Sequence, residues 1–271
     1  SKTSLPSSRP EIFVSPTASA PKINDRCEID LSPGTCASPV SGPHFSDDMM
    51  IGVPVLDINK LSFNPSLCFI NGKWIQPHRG KFIELTNPSN GKILCKISRG
   101  SSEDIDHAVK AAENSAWVHS TALERGRVLL KMSQIVLNEV ELLAELEAND
   151  VGKPLTQARG DAIALARYLE FYGGASDKIH GETIPYLKGY TVYTLREPHG
   201  VTGHIVPWNY PMQIIGRSIG AALAMGNTTV LKPAEEACLS ALAFADIAKR
   251  AGLPEGALNV VPGLGSEAGA S

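Results

Sequence analysis

Apolar residues recur at helical spacing through the middle of the chain, from about residue 101 to residue 174. Within each run they lie at positions i, i+3, i+4 and i+7, the pattern of a helix with one buried face. Capping-box spacings or a break mark four helix starts: Ser101-x-x-Asp104, Thr121-x-x-Glu124, Asn138-x-x-Glu141 and Gly152-Lys153-Pro154. The sequence therefore predicts four consecutive helices, the last ending near Gly173-Gly174, whose apolar stripes are typical of a core.

Two segments alternate instead, which predicts strands. FINGKWI places short apolar runs on both sides of Asn71-Gly72, a strong signal for a tight hairpin turn because both residues tolerate positive φ. TIPYLKGYTVYTLRE predicts a second hairpin around Lys188-Gly189, in which Val192 faces opposite to Tyr193.

The last seventy residues change to strand, helix, strand, helix, strand. VTGHIV, TTVLK and ALNVV are the predicted strands, with MQIIGRSIGAALAMG and ALAFADIAKRAG as helices between them. Nearly continuous apolar strands joined by helices indicate parallel pairing, so the fold class is α/β, at the start of a doubly wound sheet. Ligands of such sheets bind at the carboxyl ends of the strands, where this chain carries PWNYP, KPAEE and GLGSEAG.

The first 68 residues lack any such periodicity and hold nine of the 19 prolines and 12 serines. Such a segment buries too little apolar surface to offset the entropy of ordering it, so we expect a mostly disordered leader. Its seven acids against five Lys and Arg residues argue against a transit peptide, and a leader foreign to the folded protein is an open alternative.

Composition excludes several classes of function. The chain of 271 residues is 43 % hydrophobic with a net charge of −3, and it has no basic cluster, which argues against nucleic-acid and membrane partners. No apolar run approaches the roughly 18 residues of a membrane-spanning helix, and no signal peptide is visible. The five scattered cysteines fit neither a disulfide framework nor a metal site, so the cytoplasm is the expected compartment.

Charged residues and glycines follow the second and third strands. Lys232 directly follows a buried strand with Glu235 three residues later, which suits hydrogen bonds to ribose hydroxyls. The carboxylate would repel a 2′-phosphate, so NAD is expected rather than NADP. The alternative is a solvated loop with Glu at a helix start. Gly263-x-Gly265-x-x-x-Gly269 departs from the dinucleotide fingerprint by one residue, and glycines serving only a tight turn are an equal alternative.

Together these segments resemble the NAD(P)-dependent aldehyde dehydrogenase superfamily. The resemblance rests on PWNYP, LKPAEE and NVVPGLGSEAG in order, with FINGKW, Asn87-Pro88, the GKP of residues 152 to 154, and REPHGV, and it spans residues 69 to 271. It implies an incomplete family fold: helices and bridging hairpin arms in residues 69 to 199, with arms at about 69 to 85 and 184 to 199, and the first part of the NAD-binding domain in residues 200 to 271.

The resemblance also implies roles for individual residues. Asn209 would donate its side-chain amide to the substrate oxygen as half of an oxyanion hole. The cofactor would be bound by residues at all three strand ends: Val206, Pro207, Trp208, Lys232, Pro233, Ala234, Glu235, Gly265 and Gly269. The family implies an aldehyde substrate oxidised to an acid, a homo-oligomer that is a dimer or tetramer, and no metal.

The family reaction also needs a cysteine nucleophile and a carboxylate base, and neither motif occurs up to Ser271. Cys238, between Ala237 and Leu239, is expected to be an inert packing residue. We therefore expect this chain alone to be inactive, and a non-catalytic cofactor-binding or assembly protein is the second hypothesis. Tyr210, Met212 and Gln213 either line a substrate tunnel or pack the helix, and the sequence favours neither.

Overall fold

The computed structural model describes residues 53–54 and 56–271, and most of the predicted leader lies outside them. The described end of the leader, residues 56–68, is ordered, whereas the sequence predicts a mostly disordered leader. Ile58–Lys60 forms a 3-10 helix whose N-cap Asp57 accepts a hydrogen bond from the Asn59 N–H. Leu56 and Phe63 are buried in the main core. The folded part therefore begins before Phe69, because these two apolar side chains anchor a segment that otherwise shows no period.

Six α-helices are present in the described residues. They are α1 Ser102–Glu113, α2 Ala122–Asn138, α3 Val140–Val151, α4 Leu155–Ala175, α5 Pro211–Ala224 and α6 Leu239–Ala251. The two predicted capping boxes form as expected: the Ser101 and Thr121 N–H groups donate to the third-position carboxylates at 2.8 Å each. The predicted box at Asn138 is wrong, because Asn138 is the last residue of α2, and Glu139 lies at the junction with α3.

The main sheet contains five strands: β1 Cys68–Ile70, β2 Lys73–Ile75, β7 Val201–Val206, β8 Thr228–Pro233 and β9 Leu258–Val260. Their order in the sheet is β2-β1-β9-β8-β7. Two separate hairpins are formed by β3 Phe82–Thr86 with β4 Ile93–Ser98, and by β5 Thr183–Ile184 with β6 Val192–Tyr193. β7, β8 and β9 pair in parallel, as the sequence predicts. The α/β fold is thus confirmed, with a mixed sheet, because β1 pairs antiparallel with both β2 and β9.

The hairpin at Asn71-Gly72 is confirmed, but its place corrects the first predicted bridging arm. Both turn residues have positive φ, 52° and 71°, as a two-residue turn of this kind requires. β1 also pairs with β9 through Phe69 and Val260, so the hairpin extends the main sheet instead of forming a separate arm. The buried Asn259 amide explains this docking, because its Oδ1 accepts the Asn71 N–H at 2.9 Å and its Nδ2 donates to Gly256.

The second predicted hairpin forms between β5 and β6. Val192 is half-buried and Tyr193 is exposed. Its strands are only two residues long each. Around them lie exposed apolar side chains: Ile184, Tyr186, Leu187, Tyr190, Tyr193 and Leu195.

None of the helices described here is long and apolar enough to cross a membrane.

Helix α5 follows the loop after β7. Two side chains donate hydrogen bonds to the carbonyl groups at its C-terminal end. The indole N–H of Trp117 donates to the Leu223 carbonyl at 3.2 Å, and Arg125 Nε donates to the Ala224 carbonyl at 2.8 Å. The last carbonyls of a helix have no partner within it, so these donors satisfy them. Gly216 lets α5 approach α4, because a Cβ there would lie 3.0 Å from the Tyr168 ring.

Candidate functional site

The carboxyl ends of β7, β8 and β9 lie at one edge of the sheet. Val206, at the end of β7, is in parallel register with Pro233, at the end of β8. The Gly265 N–H, after β9, is 3.4 Å from Glu235 Oε1, after β8. The PWNYP, KPAEE and GLGSEAG segments are therefore neighbours in space, as expected for the ends of adjacent parallel strands.

Lys232 and Glu235 form an ion pair at the end of β8. Lys232 Nζ is 2.8 Å from Glu235 Oε2 and also donates to the Pro233 carbonyl at 2.8 Å, while the lysine side chain is buried. Burial by itself raises the pKa of Glu235, but the hydrogen bonds from Lys232 and from backbone N–H groups outweigh it and lower that pKa. The carboxylate is accordingly charged near neutral pH, and Ala234 beside it is buried.

The chain changes from buried to exposed where the PWNYP segment begins. Val206 is buried, Pro207 and Asn209 are exposed, and the Trp208 side chain is 57 % exposed. Pro211 is the first residue of α5, a position that tolerates proline because its N–H would have no helical partner. Within residues 56–271 the Asn209 side-chain amide makes no hydrogen bond. The amide is thus free to donate to a group outside this part of the chain.

The two glycines after β9 have different surroundings. A Cβ on Gly265 would meet no atom within 4 Å, so the packing of the described residues does not require glycine there. A Cβ on Gly269 would lie 2.5 Å from the Gly265 carbonyl oxygen, so this glycine allows the chain to turn back on itself. Residues 265–270 form turns.

A cavity of about 480 Å³ opens beside the first two strand ends. Its lining includes Trp208, Glu235, Glu236 and Ala237, together with Asp150 and residues of the β3–β4 hairpin. Asp150 Oδ2 accepts the Leu239 N–H at 2.7 Å, and burial raises the pKa of Asp150 well above its usual value. The exposed Trp208 ring and Glu235 thus face a space of the size that ligands occupy.

Behind the loop lies an ionic network that the sequence did not reveal. Lys153 contacts Glu147, Asp161 and the carbonyl of Asn209, which is 56 residues away along the chain. The sequence marks Lys153 only as part of the GKP break. No spacing rule pairs it with Asn209, because the contact depends on how α3 and α4 pack beside the loop.

The residues that follow Asn209 divide between solvent and packing. Tyr210 is partly exposed, with its ring 4.6 Å from Lys153 Nζ, while Met212 is fully buried in the core. Gln213 Nε2 donates to Asp161 Oδ1 at 2.6 Å. Contacts within the fold therefore account for Met212 and Gln213. Of the two roles that the sequence left open, a substrate tunnel or packing of the helix, these contacts favour the second.

The three described cysteines are unsuited to act as nucleophiles. Burial raises the pKa of Cys68 and of Cys95 to about 12, and it raises that of Cys238 well above its usual value. The thiolate is the reactive form of cysteine, so thiols of this kind are inert near neutral pH. This agrees with the packing role expected for Cys238. Among residues 53–54 and 56–271, no cluster of three His, Cys, Asp or Glu side chains is arranged to hold a metal ion.

Glu147 in the network predicts a pH-dependent stability. Burial, partly offset by hydrogen bonding from Lys153, raises its pKa to about 7, whereas an unfolded Glu has a pKa of about 4.3. The folded state then binds more protons than the unfolded state between these values, so this group's contribution to stability falls as pH rises from about 4.3 to 7. Glu147→Gln removes the titration and should gain stability relative to the unmodified chain between pH 5 and pH 8.

Urea unfolding of both proteins at the two pH values measures this difference. Glu145→Gln, on the same helix but outside the network, is the matched control and should not reproduce the change. A constant stability difference between Glu147→Gln and the unmodified chain at both pH values would show that Glu147 does not titrate in this window.

Comparisons with known proteins match most of this chain to one family. The family model described as "Aldehyde dehydrogenase family" matches residues 74–271. A crystal structure described as an aldehyde dehydrogenase from Burkholderia cenocepacia is 59 % identical with a TM-score of 0.75, over 75 % of this chain and 44 % of that one. An NAD⁺ complex of aldehyde dehydrogenase from Bacillus cereus is 42 % identical with a TM-score of 0.74, over 76 % and 43 % of the chains.

An NADP-dependent enzyme from E. coli is also similar, at 37 % identity and a TM-score of 0.74, over 75 % of this chain and 43 % of that one. Both nicotinamide cofactors thus occur among these structural relatives. The chain spans about 43 % of the first curated relative that it matches. The family model covers well over half of the present chain, including all three strand ends. The chain belongs to the aldehyde dehydrogenase family.

Proposed function

We propose that this chain supplies the cofactor-binding strand ends and one oxyanion donor of an enzyme that oxidises an aldehyde to a carboxylic acid with NAD. The observation that supports this most strongly is the position of Glu235. Its carboxylate contacts Lys232 and the Gly265 N–H, so it joins two strand ends, and it lines the same cavity as the exposed Trp208. Because the chain spans about 43 % of a relative's length, the activity of the whole protein is part of the proposal.

The residues at the strand ends suit a dinucleotide. Lys232 and Glu235 offer a donor and an acceptor for ribose hydroxyls, with Pro233 and Ala234 forming the wall between them. The open space at Gly265 leaves room for a ligand close to the backbone, and Gly269 keeps the turn tight. In the proposed complex Val206, Pro207 and Trp208 lie along the nicotinamide. When bound, the cofactor would accept the hydride released by the aldehyde carbon.

Asn209 performs the other part of the proposed chemistry. Attack of a nucleophile on an aldehyde places negative charge on the carbonyl oxygen. A side-chain amide that already points at this oxygen stabilises the charge without reorganising at the moment of reaction. The amide of Asn209, which has no hydrogen-bond partner in the part of the chain that the structure describes, lies beside the proposed nicotinamide wall and has the donors that this role needs.

A chimera tests the proposed reaction directly. In it, this chain replaces the matching 44 % of the Burkholderia cenocepacia protein, which supplies the remaining sequence. The chimera should form NADH when given NAD and a simple aldehyde, as measured by NADH absorbance. NAD binding without any turnover, in a folded chimera, would instead favour a non-catalytic cofactor-binding role.

Glu235 should control the choice between the two cofactors. Its charged carboxylate repels the extra phosphate of NADP, so Glu235→Gln should lower the ratio of the NADP dissociation constant to that of NAD by roughly tenfold. Titration calorimetry of the chimera with each cofactor measures the ratio. Glu113→Gln is the matched control, because it makes the same charge change at an exposed position on α1 that does not line the cavity. An unchanged ratio in Glu235→Gln would count against the ribose contact.

We also infer that the protein acts as a homo-oligomer in the cytoplasm. The exposed apolar side chains around β5 and β6, among them Tyr186 and Leu187, support an association surface in the second bridging arm. The described cysteines Cys68, Cys95 and Cys238 are free thiols, which is compatible with a reducing compartment. Light scattering after size-exclusion chromatography would distinguish a dimer from a tetramer.

A further inference from the structure

Lys153 holds a buried ammonium group with three partners. Its Nζ is 2.7 Å from Glu147 Oε1, 2.5 Å from Asp161 Oδ2 and 3.1 Å from the backbone carbonyl oxygen of Asn209. Only 9 % of the lysine side chain is exposed. An ammonium has three N–H donors, so each donor has one acceptor. The direction of every bond from this group is therefore determined by the protein.

The partners of Lys153 belong to separate elements of the fold. Glu147 lies on α3, Asp161 on α4 and Asn209 on the loop between β7 and α5. Asp161 uses its other oxygen to accept from Gln213, in the first turn of α5. The network thus holds the loop from two sides, through the carbonyl of Asn209 and through the helix that follows it.

The charges in this network suggest a role beyond stability. Burial by itself lowers the pKa of Lys153, but the two carboxylates outweigh it and raise that pKa, so the ammonium stays charged. Burying such groups costs desolvation energy that an apolar replacement would avoid, and a buried ion pair is therefore weak support for a purely stabilising function. What this network adds over apolar packing is a hydrogen bond of fixed direction to the loop that bears Asn209.

That hydrogen bond determines the orientation of Asn209. The carbonyl oxygen fixes the plane of the peptide between Asn209 and Tyr210, and with it the direction in which the Asn209 side chain leaves the backbone. The Asn209 amide has no hydrogen-bond partner within residues 56–271 that could orient it. The ammonium also lies 4.6 Å from the centre of the Tyr210 ring, close enough for a cation–π contact that holds the next residue.

We propose that Lys153 is a positioning residue: held by Glu147 and Asp161, it fixes the backbone of Asn209 so that the side-chain amide points at the reacting carbonyl oxygen. The catalytic part of this proposal rests on the oxyanion role proposed for Asn209 above. Its structural part, the immobilisation of the loop by Lys153, does not depend on activity.

Backbone ¹⁵N relaxation of the 271-residue chain tests the structural part. In the unmodified chain the order parameters of the Asn209 and Tyr210 amides should be near 0.85, the value of rigid backbone, and in Lys153→Met they should fall toward 0.6 or below. Arg250→Met is the matched control. It removes an Arg paired with Glu139 and Asp246 and should leave both order parameters unchanged.

Lys153→Arg decides the question if the Met variant fails to fold. Arginine keeps the positive charge between the two carboxylates, but its planar group cannot direct three bonds as an ammonium does. We expect Lys153→Arg to fold and to show the same loss of order at Asn209 and Tyr210. Order parameters that stay near 0.85 in a folded Lys153 variant would overturn the proposal.

The kinetic part uses the chimera. Lys153→Arg should lower kcat about tenfold to a hundredfold, because displacement of a catalytic group by about 1 Å costs this much, while the dissociation constant for NAD stays unchanged. An equal loss in NAD affinity would show a general structural role and contradict the proposal. If the unmodified chimera is inactive, the proposed function fails, and the relaxation measurement still decides whether Lys153 orders the loop.

Discussion

Replacement of Asn209 by alanine in the chimera should lower kcat for aldehyde oxidation by about 100-fold to 1,000-fold, the usual cost of losing one oxyanion donor. The dissociation constant for NAD should change less than about twofold, because the proposed cofactor contacts lie on Trp208, Lys232 and Glu235. The side-chain amide of Asn209 makes no hydrogen bond within the described residues, so its removal breaks none of their contacts. Steady-state kinetics and NAD titration measure the two quantities separately.

Asn209→Asp separates the loss of the donor from the loss of the side chain. Aspartate has nearly the same shape, but its charged carboxylate only accepts hydrogen bonds and would repel the developing oxyanion. It should lower kcat at least as much as alanine does. Equal losses of turnover and of NAD affinity in both variants would contradict the oxyanion role and assign Asn209 to the cofactor site.

Gly256→Ala should produce the largest loss of stability among the glycine positions that support the sheet. Gly256 has φ of +79°, and an added Cβ would lie 2.2 Å from the Ala111 carbonyl oxygen on α1. The left-handed conformation costs a residue with Cβ about 1–2 kcal/mol, and forcing apart packed elements adds about 1–3 kcal/mol. We expect the free energy of unfolding to fall by about 3 kcal/mol, as measured by urea unfolding.

Gly252→Ala is the control that isolates the steric part. Gly252 ends α6 with φ of +90°, but its added Cβ would meet nothing within 4 Å. Only the conformational cost of about 1 kcal/mol should remain. The same loss at both positions would show that α1 moves away freely, and that the contact of Gly256 with α1 does not support the sheet.

The elements with strong local signals were predictable from the sequence. Two capping boxes, the Asn71-Gly72 turn and the parallel strands all occur where the local pattern places them, because each depends on residues a few positions apart. The capping box predicted at Asn138 is wrong, although its spacing is correct. Local spacing does not show that α2 continues through Asn138, so that the helix junction lies one residue later.

The contacts that depend on distant residues were not predictable. Ordered strand-end motifs placed Asn209, Lys232 and Glu235 near one sheet edge, since the ends of parallel strands must meet there. The partner of the Asn209 carbonyl, Lys153, comes from between two helices, and no period or spacing in a single sequence encodes that approach. The pairing of β1 with β9 was missed likewise, because a hairpin pattern does not tell which sheet it joins.

The pairing of β1 with β9 also has a consequence for the order in which the chain folds. Asn71 and Asn259, which hydrogen bond to each other, are separated by 188 residues along the chain. During synthesis the β1–β2 hairpin emerges early, but its place in the sheet exists only after β9 has left the ribosome. Contacts between residues so far apart slow folding and prolong the exposure of partly folded chains. The hairpin is thus made well before the strand against which it docks.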